Sequence, residues 1–197
     1  MKLYYAPGAC SLSPHIVAAE AGLALDLEKV DLRVHKTESG ADFYAINPKG
    51  YVPALQLDDG EILTEGPAIV QYLADRNPGS GLIPAQGTAR YRVLEWLAFI
   101  NGEIHKSFAP LFGKAPEDQQ AAAKAKIQKR FAYAATALGA KDYLTGPQFT
   151  VADAYLFVML RWAQKMDIAA PANLHHLFDR IKARPKVADV LKAEGLD

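Results

Sequence analysis

A single cysteine among 197 residues excludes an internal disulfide and suits a reducing compartment, so the expected location is the cytoplasm. Net charge is missing too: 22 Lys and Arg balance 22 Asp and Glu, and the two signs are interspersed. There is no basic stripe and no aromatic-basic interleaving, so no nucleic-acid partner is expected. Long apolar runs are absent. The stretch Leu97–Ile100 is far too short to span a bilayer, and Met1-Lys2-Leu3 leads into a strand rather than a secretion signal, so no membrane is expected. The chain has neither an internal repeat nor a low-complexity tract. What remains is ordinary for a globular protein: half the residues are hydrophobic, enough core for one large domain or two small ones.

The first part of the chain alternates strand and helix. Lys2–Tyr5 reads as a strand. A turn carrying Pro7, Gly8 and Cys10 follows, then a helix from Pro14 to Ala21 ended by Gly22, with Ser13 as its cap. Leu25–Leu32 reads as a second strand, Arg33–Gly40 as a polar loop and Ala41–Ile46 as a short helix. Val52–Leu57 and Glu61–Leu63 flank Asp58-Asp59-Gly60 and read as a hairpin. Thr64-Glu65-Gly66-Pro67 opens a helix with Ile69, Val70, Tyr72 and Leu73 on one stripe. This is an α/β unit with a mixed sheet.

Asn77-Pro78-Gly79-Ser80-Gly81 is the most linker-like run, and no strand is expected beyond it. Ala89–Phe112 and Pro116–Leu138 read as long helices. Thr150 and Asp153 form a reduced capping box opening the apolar helix Ala154–Trp162, and two shorter helices follow, Asn173–Ala183 and Pro185–Ala193. The expected domains are 1–79 and 87–197, the second all-helical.

Cys10 sits at or just before a helix N-terminus, where free N–H groups and the helix dipole favour an anion. A thiol there is expected to ionise more readily than a free one. The alternative is an inert buried cysteine.

The organisation resembles the cytosolic glutathione transferase family, with its thioredoxin-like N-terminal domain and all-helical C-terminal domain. Asn47-Pro48-Lys49-Gly50-Tyr51-Val52-Pro53-Ala54-Leu55 looks like that family's N-P-x-G-x-V-P-x-L segment. Glu65-Gly66-Pro67-Ala68-Ile69-Val70-Gln71-Tyr72-Leu73 looks like its E-[SG]-x-A-I-x-x-Y-L helix, and Phe149–Tyr155 like its helical capping box. Pro7–Ser13 with Glu103-Ile104-His105-Lys106 is similar to the bacterial beta class. The likeness covers essentially the whole chain. It departs from the beta pattern at Ala98, where Asn is usual, and at His35, where Lys is usual.

The resemblance implies glutathione as co-substrate, no metal, a homodimer and a small hydrophobic electrophile. Pro53 would be a cis proline, letting the Val52 backbone pair with the tripeptide's cysteinyl unit. Glu65 and Gly66 would offer helix-start N–H groups to the γ-glutamyl carboxylate, and the Glu65 carboxylate would hold the ammonium; alternatively Glu65 is a plain first-turn acid and Pro53 an ordinary strand-edge proline. His35 or Lys36 would face the glycine end. Cys10 lacks a second cysteine to resolve a mixed disulfide, so its only partner would be an external thiol.

His105 faces Ala98, Asn101, Gly102 and Phe108 by helical spacing. That small, polar face suits a cleft, where a neutral imidazole near sulfur accepts its proton; a satisfied buried histidine is the alternative. Lys106 would add positive charge or simply be solvated. Glu103, two positions from His105, would point about 200° away, toward water or a partner subunit's glutathione. Phe108, Phe112 and Tyr155 would line the electrophile pocket, and Trp162 would either join them or pack in the core. His175 and His176 point about 100° apart, poor geometry for one ion.

The expected activity is conjugation of glutathione in detoxification. The alternatives are a glutathione-dependent thiol-disulfide reductase, peroxidase or reductive dehalogenase acting through a Cys10 mixed disulfide, and a non-catalytic binding or regulatory protein.

Overall fold

The computed structural model describes residues 1–113 and 115–196. Lys114 and Asp197, both within the domain expected at 87–197, lie outside the described residues. The chain divides into two compact units, Met1–Ile83 with Arg184–Asp197 and Pro84–Ala183.

In the first unit, β1 (Lys2–Tyr5), β2 (Asp26–Asp31), β3 (Lys36–Thr37), β4 (Ala54–Gln56) and β5 (Ile62–Thr64) form one mixed sheet in the order β3-β2-β1-β4-β5. β1 runs parallel to β2 and antiparallel to β4, with Leu3 opposite Leu27 on one side and Leu55 on the other. The polar loop expected over Arg33–Gly40 contains β3, which pairs Thr37 with Val30 and Lys36 with Asp31.

Helices α1 (Leu12–Ala21), α2 (Phe43–Ile46) and α3 (Gly66–Arg76) cover the sheet. Alternate strand residues face opposite sides. Tyr4 joins Val30, Phe43, Val52 and Ala54 in one cluster. Leu3 and Leu55 are fully buried, as are Leu12 and Ile16 of α1 and Ile69 and Leu73 of α3; α1 and α3 pack against each other. Each such side chain stabilises the fold by about 1.5–3 kcal/mol.

The second unit, among the described residues, is helical apart from one isolated bridge, Tyr143 to Gly146. The expected long helix is α4 (Gly87–Phe99), but its winding then changes. Ile100–Ile104 is a π turn, His105–Phe108 a 3₁₀ turn, and α5 (Ala109–Phe112) resumes the α form. Helices α6 (Glu117–Leu138), α7 (Val151–Lys165) and α8 (Ala172–Lys182) complete it. α7 is buried without a break from Val151 to Leu160 and packs against α4, α8 and the π turn, which explains its lack of a polar stripe. Asp153 accepts from Thr150 N at 2.9 Å, Thr150 Oγ1 at 2.8 Å and Leu144 N at 2.8 Å, tying the helix start to the preceding loop.

The last helix, α9 (Pro185–Ala193), belongs by its contacts to the compact unit of the sheet. It packs on α1, and Arg184 grips Glu20 with two bonds of 2.7 and 2.8 Å. Beyond it, the buried Glu194 meets His15 Nδ1 at 2.8 Å and accepts from Gly8 N at 2.9 Å.

Candidate active site

The turn after β1 is held by its own side chain. Ser11 Oγ accepts from Ala6 N and donates to Ala6 O, both at 3.2 Å. The helix begins at Leu12 with Ser11 as N-cap, so Ser13 is a buried helical residue rather than the expected cap. Gly8 takes φ +70°, a conformation side chains rarely adopt.

Cys10 is half-buried, and its Sγ donates to the Val52 carbonyl at 3.2 Å. A carbonyl oxygen only accepts, so Cys10 makes this contact as a thiol. The Val52-Pro53 bond is cis. The sheet unit therefore brings together Cys10 and Val52, two of the residues expected to serve one ligand.

Glu65 caps α3 at φ +70° without bonding to the helix through its side chain. Its carboxylate is about half exposed and takes Lys49 Nζ at 2.6 Å and Tyr51 Oη at 3.3 Å; Lys49 also reaches Thr64 Oγ1 at 2.9 Å. A Cβ built on Gly66 would meet no atom within 4 Å, so the helix start is open to a close approach. The first amides of a helix have no acceptor within it. A carboxylate that holds a cation thus stands beside donors suited to an anion. Sequence reasoning missed Lys49 and Tyr51, although both lie in the Asn47–Leu55 motif on either side of Gly50.

His35 takes φ +50° and stacks its ring on Tyr44 at 4.4 Å, while Lys36 is exposed on β3.

In the helical unit, His105 opens the 3₁₀ turn. Its Nδ1 lies 2.6 Å from Tyr155 Oη, which donates to Asn101 Oδ1 at 2.9 Å. Trp162 meets the imidazole edge-on at 5.1 Å. Burial, with the Lys106 charge as the smaller cause, pulls the His105 pKa down to about 4, so the ring is neutral at pH 7. Lys106 itself is exposed.

Glu103 does not stand free: its carboxylate pairs with Arg130 of the same chain at 2.8 Å. The 200° angle between Glu103 and His105 assumed α winding, and both residues lie where that winding is lost. Of the expected pocket residues, Phe108 is fully buried and Tyr155 nearly so, while Phe112 is 57% exposed. Phe108 and Phe112 both pack against Trp162. Phe108 is therefore core, Tyr155 is a partner of His105, and only Phe112 offers its ring to solvent.

Residues 8–76 match the family described as glutathione S-transferase, N-terminal domain, and residues 102–194 match the corresponding C-terminal domain. The chain is 46% identical over 200 residues, covering all of both chains, to the glutathione S-transferase GstA of Escherichia coli O157:H7. The chain belongs to the glutathione S-transferase family. Its structure resembles a ternary complex of the bacterial GST BphK, with a TM-score of 0.97, 50% identity and full coverage of both chains. It also resembles the beta-class glutathione S-transferase of Sphingomonas chungbukensis, with a TM-score of 0.94, 45% identity and full coverage. This glutathione S-transferase is thus a bacterial beta-class member, an enzyme that takes glutathione as co-substrate.

Proposed function

We propose that this glutathione S-transferase anchors glutathione on its sheet unit and transfers it to small hydrophobic electrophiles such as aryl halides. The observation that carries the reading is the Lys49 ammonium on Glu65 at 2.6 Å. It stands in for the γ-glutamyl ammonium, beside helix-start amides that suit the neighbouring carboxylate. The Val52 backbone would pair with the cysteinyl unit, and His35 or Lys36 would take the glycine carboxylate. His105, with Lys106 adding charge, would accept the thiol proton. Calorimetry with glutathione and turnover of an aryl halide test the reading. Binding without any conjugation would leave a binding or regulatory protein instead.

A second reading is favoured by one contact. Cys10 Sγ donates to Val52 O, the backbone unit assigned to the ligand's cysteine, so the protein's sulfur lies beside that anchor. Cys10 would give up its proton to water, and its thiolate would attack one sulfur of glutathione disulfide, breaking the S–S bond, forming a protein–glutathione disulfide and releasing one glutathione thiolate. Mass spectrometry after incubation with glutathione disulfide would then show one adduct on Cys10, reversed by thiol.

We further infer a cytoplasmic homodimer active in detoxification. The dimer reading is supported by a recess of about 490 Å³ on α4 and α6, where Trp96, Phe99 and the exposed Tyr133 stand among Arg92, Glu95 and Lys141, a mixed aromatic and charged face suited to a second copy. Sedimentation tests it. For Glu103 to reach a partner's ligand, its bond with Arg130 would have to open.

A further inference from the structure

The hydroxyl of Tyr155 stands between two neighbours and owns one proton. Asn101 Oδ1, at 2.9 Å, carries no proton, so the hydroxyl donates there. The other neighbour, His105 Nδ1 at 2.6 Å, must then be the donor in its own bond, because the Tyr155 oxygen has only lone pairs left to offer. A neutral imidazole protonated at Nδ1 keeps its lone pair on Nε2. The relay runs between residues 101 and 105, across the π turn, where a change of winding often accompanies function. Tyr155 is 2% exposed, so water does not compete for its hydroxyl.

We propose that Tyr155, steered by Asn101, is a positioning residue that holds His105 in the Nδ1–H tautomer and presents Nε2 as the proton acceptor. The catalytic consequence rests on the reading of His105 as the base of the transfer reaction. In that step the glutathione S–H bond breaks, its proton moves to Nε2, and the electron pair stays on sulfur as thiolate. The ring becomes an imidazolium with N–H on both nitrogens, its Nδ1–H still donating to Tyr155, and Nε2 later returns the proton to water. The structure supplies the neutral starting form: burial keeps the ring uncharged well below pH 7.

The test is long-range proton–nitrogen correlation on the full chain labelled with ¹⁵N-histidine, the His105 signals being assigned by their loss in His105→Gln. The wild type should show a protonated Nδ1 and an unprotonated Nε2 at pH 7. Tyr155→Phe, which removes one oxygen and keeps the ring, should shift the population toward Nε2–H. It should lower kcat by about tenfold to a hundredfold, within the range of lost general base catalysis, at unchanged KM for glutathione. Asn101→Asp keeps an acceptor for the Tyr155 proton and should retain the wild-type tautomer, whereas Asn101→Leu should lose it. A wild-type ring protonated at Nε2, or a tautomer unchanged in Tyr155→Phe, overturns the proposal. A tautomer that shifts while kcat stays constant upholds the relay and overturns the assignment of His105 as the base.

Discussion

Two helices, α3 and α7, each carry an acid at their start, and the two acids are held in different ways. Glu65 is about half exposed at a positive φ, and its partners are the flexible ends of Lys49 and Tyr51. Asp153 is fully buried, and its partners are two backbone amides and one hydroxyl that have nowhere else to go. An acid whose donors can leave is able to exchange them for a ligand. An acid whose donors are fixed backbone holds the fold. Glu65 stands at the cap of α3 and Asp153 in the first turn of α7, and their partners differ in whether they can be exchanged.

Breaking the structural acid should give the largest effect. Asp153→Ala removes the acceptor for Thr150 N and Leu144 N and leaves both amides buried without a partner. Each such loss costs about 1–3 kcal/mol, so unfolding in urea should show a destabilisation of about 3 kcal/mol or more. Glutathione affinity of the folded fraction should hold. Loss of affinity with stability intact would reverse the two roles.

Glu65→Ala is the complementary case. Glutathione binding should weaken by about 2 kcal/mol, the worth of a lost charge-assisted contact. Stability should move by less than about 0.5 kcal/mol, as for an exposed ion pair. Calorimetry that finds unchanged affinity would reduce Glu65 to a helix-start acid.

Much of this arrangement was legible in the sequence where the backbone is punctuated. The Asp58-Asp59-Gly60 turn located the β4–β5 hairpin, and Asn47–Leu55 and Glu65–Leu73 located the α3 site, because Gly and Pro report backbone geometry directly. Strand β3 escaped because two residues paired only through their backbones leave no side-chain pattern. The change of winding at Ile100 escaped because it lies in a run that fits an α stripe, and the buried relay through Tyr155 comes from fifty residues downstream. The Glu103–Arg130 ion pair likewise joins the π turn to α6 and leaves no local pattern. The placement of α9 rests on pairs such as Arg184 with Glu20, between residues too distant to leave a local signal.

Burial shifts two groups of the helical unit in opposite senses, which sharpens the comparison by pH. Asp153 is pushed up to about 6, chiefly by burial, while its hydrogen bonds pull the other way. Being raised, it adds stability below its unfolded value, and that stability is lost as pH rises through about 6. His105 is pulled down to about 4. Being lowered, it adds stability fully above about 6.5, and that stability is lost as pH falls through about 4. The two slopes oppose each other from about pH 4 to about pH 6. The stability gap between wild type and His105→Gln should therefore shrink on acidification, by about 1–2 kcal/mol after allowing for the ring's partial exposure. Parallel urea-midpoint curves for the two proteins from pH 7 to pH 4.5 would show that burial does not shift His105.

The smallest expected effect tests exchangeability itself. Lys49 and the ligand's ammonium would compete for the same carboxylate oxygen, since Glu65 Oε1 already accepts from both Lys49 Nζ and Tyr51 Oη. On the proposed reading, the Lys49 ammonium would have to withdraw before glutathione could use Glu65 fully. Exposed pairs of this kind are worth about 0–1 kcal/mol, so Lys49→Met should tighten glutathione binding by about 0.5 kcal/mol, roughly twofold. An analogue lacking the γ-glutamyl ammonium has no claim on Glu65, and its affinity should not gain from the substitution. Calorimetry with both ligands on both proteins closes the cycle. If Lys49→Met weakens glutathione instead, Lys49 contacts the ligand and is no placeholder, and the contrast between a movable and a fixed partner then no longer explains why Glu65 binds and Asp153 does not.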